Sequence, residues 1–160
     1  MGTIKKQKDK ELLLKDLCPR LPYNCRVFVE ITDDLSHETH GYSITLNTHY
    51  IYEFENDKIV IKPYLRPLSS MTEEEILELY KITYDTWYND SLYYKSEEWI
   101  SFRDSIRNNT LCFKSSIWAS RIFKVYDWLN SNNFDYNGLI PMGLGIDCTE
   151  TNIYDSSIKV

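Results

Sequence analysis

Two prolines four residues apart set the strongest limit on how this chain folds. In Lys62-Pro63-Tyr64-Leu65-Arg66-Pro67-Leu68-Ser69-Ser70-Met71-Thr72-Glu73-Glu74-Glu75, Pro63 and Pro67 each remove a backbone donor and push the preceding residue towards extended conformations. An incoming strand is therefore expected to finish here. A helix follows at once. Thr72 is a good N-cap, Glu75 lies three residues on to complete a capping box, and Glu73 and Glu74 put negative charge at the positive end of the helix dipole. Strands are expected before this hinge and helices after it.

Upstream, Leu13, Leu14 and Leu17 recur at helical spacing, which predicts a short amphipathic helix over 9–17. Cys18-Pro19 and Leu21-Pro22 are expected to stop it. From Cys25 the period becomes two. Val27, Val29 and Ile31 point one way and Arg26, Phe28 and Glu30 the other, as in a half-buried strand. After a polar connection, Tyr42, Ile44 and Leu46 resume the alternation, and Tyr50, Tyr52 and Phe54 extend or restart that strand. Asn56-Asp57 supplies a turn, and Ile59 and Ile61 mark a third strand ending at Pro63. The pattern predicts an antiparallel meander of three or four strands.

Downstream, Ile76, Leu79, Tyr80, Thr83 and Trp87 form one helical stripe. Ser96 caps a second helix with Trp99, Phe102 and Ile106 on its buried face. Trp118, Ile122, Val125 and Leu129 define a third, with Lys124 and Asp127 outside. Asp135-Tyr136-Asn137-Gly138 is a tight-turn sequence, and the apolar run from Leu139 to Cys148 predicts an ordered segment that closes the core or adds an edge strand. The expected fold is α+β: a small antiparallel β-meander from the N-terminal half, packed against about three helices. A chain of 160 residues fits a single domain, with 1–8 as a flexible basic arm and 149–160 as a loose tail.

Charge and composition narrow the function. Residues 1–20 carry six Lys or Arg against three acids, whereas the whole chain has net charge −6, so the body is acidic and argues against nucleic acid as a partner. No apolar run approaches the roughly 20 residues of a membrane span, and no secretory signal is evident at the N-terminus. A cytoplasmic protein is the simplest reading. Cys18, Cys25, Cys112 and Cys148 form no C-x-x-C pair and are expected to be reduced, partly buried thiols.

Catalytic motifs are sparse. Asp33, Asp34, His37 and His40, with Glu38 between, offer a His-x-x-His loop that can hold a transition metal; a solvated hairpin loop has the same composition. Glu53, Glu55 and Asp57 with Lys58 or Lys62 offer a nuclease-like arrangement if they sit on strands, although a charged hairpin end explains them with fewer assumptions. His49 reads as a strand surface residue. Cys18 or Cys112 becomes a nucleophile only if the fold supplies a histidine. P-loop, G-x-S-x-G and dinucleotide signatures are absent, and no cofactor is expected.

The remaining signal is aromatic. Tyr84, Trp87, Tyr88, Tyr93 and Tyr94 lie within eleven residues, more than one helix stripe buries, and Tyr and Trp dominate interface energetics. They read as an interface with a protein partner or a second copy of the chain, or as a core wrapped around the end of that helix.

The hinge segment, together with Asp127-Trp128-Leu129-Asn130, the run Phe134-Asp135-Tyr136-Asn137-Gly138-Leu139-Ile140-Pro141-Met142-Gly143-Leu144 and the start Leu17-Cys18-Pro19-Arg20-Leu21-Pro22-Tyr23, resembles a family of small proteins without assigned activity from gut Bacteroidales genomes and their phages. The resemblance implies a bacterial host cell and a prophage or phage-like origin, and carries no chemistry. The leading expectation is a non-enzymatic, protein-binding accessory protein of phage or mobile-element type. Its rival is a metal-dependent hydrolase or nuclease built on the His37/His40 loop or the Glu53/Glu55 hairpin.

Overall fold

A computed structural model describes residues 2–32, 38–84, 96–111 and 119–150, with backbone alone at 2–5, 119 and 120. The described residues form five helices and five strands, an α+β protein in which strands dominate the first part and helices the second. Contacts group the chain into two compact units, Met1–Leu65 with Leu139–Val160, and Arg66–Gly138.

The first unit opens with helix α1, Gly2–Arg20, which begins inside the segment expected to be a loose arm and runs past the expected stop at Leu17. Leu13 and Leu17 are buried as their spacing requires. The helix passes Pro19 because the last turn is tied across it. Arg20 Nε and Nη2 donate to the two carboxylate oxygens of Asp16 at 2.8 and 3.0 Å, and both residues are fully buried. A 3-10 turn over Leu21–Tyr23 then ends on Asn24 in the left-handed region, φ 54°.

Strand β1, Arg26–Thr32, pairs antiparallel with β2, Thr39–Thr45, and on its other side with β3, Val60–Pro67. The order β2-β1-β3 corrects the expected meander: the first strand is central, and β2 lies at an edge. Helix α2, Thr48–Glu55, is the reason. It occupies the stretch read as strand from Tyr50 to Phe54 and carries the chain from β2 to the far side of β1. Asn47 starts it, its Oδ1 accepting from the N–H groups of His49 (2.9 Å) and Tyr50 (3.2 Å). Phe54 then turns into the core with Tyr50 and Ile51 beside it, a helical face that three alternating aromatics had disguised.

The hairpin register explains how β3 runs on past Pro63, where the strand was expected to end. The Leu46 N–H donates to the Cys25 carbonyl at 2.8 Å, which makes Val27–Ile44 and Val29–Tyr42 hydrogen-bonded pairs. Val27 thus directs its backbone groups to β2, and Pro63, opposite Val27, stands where the ladder to β1 needs no donor. Val27, Val29, Ile61 and Leu65 fill the core, and Leu139 closes it. Strand β5, Ile146–Asp147, adds to β3 in parallel, as expected of the apolar C-terminal segment.

The second unit is built on the predicted helices. Helix α3, Glu73–Tyr84, begins with the capping box: Thr72 N–H donates to Glu75 Oε2 (2.8 Å), and Glu75 N–H to Thr72 Oγ1 (3.2 Å). Helix α4, Glu97–Arg107, starts on Ser96, whose Oγ accepts from Trp99 N–H at 3.2 Å. Helix α5, Ala119–Ser131, buries Val125 and Leu129 and leaves Lys124 and Asp127 exposed. Ile76, Leu79, Tyr80, Trp99, Phe102 and Ile106 interlock with them as one core. Strand β4, Phe134–Asp135, pairs in parallel with Arg66 and Pro67. Arg66 clamps Glu75 at 2.7 and 2.9 Å while its guanidinium lies 4.4 Å from the centre of the Phe134 ring.

Candidate functional site

Among the described residues, those expected to carry chemistry do not converge. His40 is exposed on β2, with Nε2 3.7 Å from the Glu38 carboxylate; Asp33, Asp34 and His37 lie outside the described residues. His49 is on helix α2 rather than a strand. Among the described residues, no group of three or more His, Cys, Asp or Glu side chains is placed to hold a metal ion.

The nuclease-like set is corrected by α2. Glu53 and Glu55 sit on that helix and Asp57 in the turn after it, so they do not project from a strand as metal ligands would need to. The charges of Glu53 and Asp57 are also spent. Lys58 Nζ meets Glu53 at 3.2 Å, and Lys10 Nζ meets Asp57 Oδ1 at 2.6 Å while donating to the Glu55 carbonyl at 2.7 Å. The Lys10 hydrogen bond holds the Asp57 carboxyl below its ordinary value.

Of the aromatic set, Tyr84 belongs to the core of its unit, its ring 4.6 Å from Tyr80 and 6.0 Å from Phe102. Trp87, Tyr88, Tyr93 and Tyr94 lie outside the described residues, as does Cys112. Cys25 and Cys148 are buried free thiols and Cys18 an exposed one.

Two other features, both in the first unit, stand out. The first is the edge of β2. Ladder parity sends the backbone groups of Ile44, Tyr42 and His40 to β1, so those of Thr39, Gly41, Ser43 and Thr45 face outward. Residues Thr39 to Ser43 are exposed, and the strand Thr-His-Gly-Tyr-Ser-Ile-Thr has no lysine, proline or carboxylate to discourage a further strand. Gly41 stands on this edge for a packing reason: a Cβ there would lie 2.3 Å from Phe28 Cζ, whose ring tip covers it.

The second feature is a groove of about 640 Å³ beside α2, within the range that holds small ligands. Ile31, Ile59 and Val60 supply apolar walls, Tyr42 and Tyr50 hydroxylated ones, and Glu30, His49, Glu53 and Lys58 the polar rim. The neighbouring Tyr42 hydroxyl, with burial, raises the Tyr50 phenol above its ordinary value. Neither feature was read from the sequence, although Asn47-Thr48 is a cap signal that would have placed α2 and so exposed both.

No family model, no curated protein and no solved structure matches the chain. Among the described residues, no helix is long and apolar enough to cross a membrane.

Proposed function

We propose that the protein is a binding module that takes an extended segment of a partner protein as an added strand on β2. One observation carries this reading: a seven-residue edge strand with outward backbone groups and no lysine, proline or carboxylate within it, Arg26 Nη2 reaching only the Ser43 carbonyl at 3.5 Å. Main-chain pairing along Thr39, Gly41, Ser43 and Thr45 provides the affinity, and the side chains flanking the added strand provide the choice. The ion pairs that consume Glu53 and Asp57 favour this over hydrolysis. The resemblance adds the setting, an accessory protein of a phage or mobile element.

The test is Ser43→Pro. The Ser43 N–H points away from β1, so proline blocks the edge without touching the ladder, its one cost to the fold being the 2.7 Å hydrogen bond between Ser43 Oγ and Tyr64 OH. A random decapeptide display library is panned on the wild-type protein with counter-selection on folded S43P. The expected outcome is a set of peptides that bind only the wild type and slow amide exchange at Gly41, Ser43 and Thr45. Recovery of no such peptide, or binding that S43P leaves intact, refutes the proposal.

A further inference from the structure

We infer that the strand received by β2 is the β2 strand of a second copy of this chain, paired antiparallel about a two-fold axis at Tyr42. The inference rests on the strand-addition reading and names its partner. Its ground is the order of residues along the edge. Read outward from Tyr42 in both directions, the strand gives Gly41 and Ser43, both small, then His40 and Ile44, then Thr39 and Thr45, the same residue at each end. A near-palindrome of this kind suits an isologous contact, in which each residue meets the one equally far on the other side of the axis.

The ladder with β1 turns the backbone groups of Thr39, Gly41, Ser43 and Thr45 outward, and a two-fold at Tyr42 engages every one of them. Thr39 exchanges hydrogen bonds with the partner's Thr45, Gly41 with the partner's Ser43, and the reverse. An axis moved to Gly41 or Ser43 leaves Thr45 or Thr39 with no strand residue opposite. The register through Tyr42 also sets that residue against the partner's Tyr42 in a non-hydrogen-bonded pair, where side chains approach most closely, and Tyr42 is 39% exposed, with ring surface to cover. On the other face only threonine, glycine and serine meet, with threonine opposite threonine at both ends. No like charges are opposed, since the strand carries no lysine, arginine or carboxylate. Arg26 Nη2 reaches the Ser43 carbonyl at 3.5 Å and leaves its other lone pair for the N–H of the partner's Gly41. The two-fold closes the pair, so β2 offers no edge to a third copy.

Sedimentation equilibrium of the full-length protein is expected to give a mass that climbs from monomer towards dimer as concentration rises to about 1 mM, while folded Ser43→Pro stays monomeric. Disulfide trapping reads the register. In a Cys18→Ser background, Tyr42→Cys faces its own copy at a Cα spacing of about 4.5 Å, at which disulfides form, whereas Ser43→Cys lies about 8 Å from its own copy, too far to bridge. Oxidised Tyr42→Cys is expected to run as a covalent dimer in clear excess over Ser43→Cys and over the Cys18→Ser background alone. A dimer that S43P leaves intact, or equal trapping at the two positions, overturns the inference. A protein that stays monomeric throughout overturns it as well; recovery of S43P-sensitive peptides would then leave the strand-addition reading standing alone, and recovery of none would refute both.

Discussion

Removing one carboxylate from the end of helix α1 should be among the most damaging single changes in this protein. Asp16 and Arg20 form a two-pronged ion pair at 2.8 and 3.0 Å with both side chains fully buried. Asp16→Asn preserves the shape and deletes the charge, leaving the guanidinium in a low-dielectric site. Breaking a buried pair from one side costs about 3–5 kcal/mol, against roughly 5–15 kcal/mol for a whole domain. For a chain of this size that corresponds to a fall in Tm of about 6–20 °C. Thermal and urea unfolding followed by circular dichroism would measure it. The same pair ties the last helical turn across Pro19, so D16N should also lower helicity before the main transition. Replacing both partners with apolar residues, Asp16→Leu with Arg20→Met, should recover part of the loss, since neither charge of the pair is then buried. A D16N loss below about 1 kcal/mol would refute the reasoning, because it would mean that water reaches the guanidinium; so would a double variant no better than the single one.

Thr72→Ala removes the N-cap of α3 and should cost the second unit about 1 kcal/mol, read by urea unfolding. The same box predicts a pH response: burial works to raise the Glu75 carboxyl, but the Arg66 guanidinium and the Thr72 N–H and hydroxyl outweigh it and hold it below its ordinary 4.5. A depressed carboxyl contributes stability that is fully present above pH 4.5 and is lost as pH falls through the lower folded value, so acid should lower Tm less in Glu75→Gln than in the wild type. Gly41→Val places a Cβ 2.3 Å from Phe28 Cζ and should cost about 1–3 kcal/mol in urea unfolding, with part of the loss restored by Phe28→Leu.

What the chain encodes locally, the sequence alone determined. The Thr72–Glu75 capping box, the Ser96 cap, the buried stripes Ile76-Leu79-Tyr80-Thr83 and Trp99-Phe102-Ile106, and the inward Val27 and Val29 all rest on chemistry between residues two to four apart. Such contacts form whatever the rest of the fold does. Helix α2 is the instructive exception. Tyr50, Tyr52 and Phe54 satisfy a period of two, yet Tyr50, Ile51 and Phe54 equally satisfy a helical face, and three residues cannot separate the two.

Tertiary structure decided the rest. Alternation says that a segment is a strand, not which strand lies beside it; once α2 is a helix, β3 is delivered to the free side of β1, and β2 becomes an edge. That pairing also decided that β3 passes through Pro63, since only the parity of β1 shows that the missing donor is unneeded. Both candidate sites follow from that one choice. Gly41 and Ser43 face outward because of the ladder they join, and the groove lies beside α2 because that helix replaces the expected strand, with Lys10 and Lys58 drawn to Asp57 and Glu53. The sign and spacing of charges are written in the chain; which of them remain unpaired is settled only when the strands and helices have met.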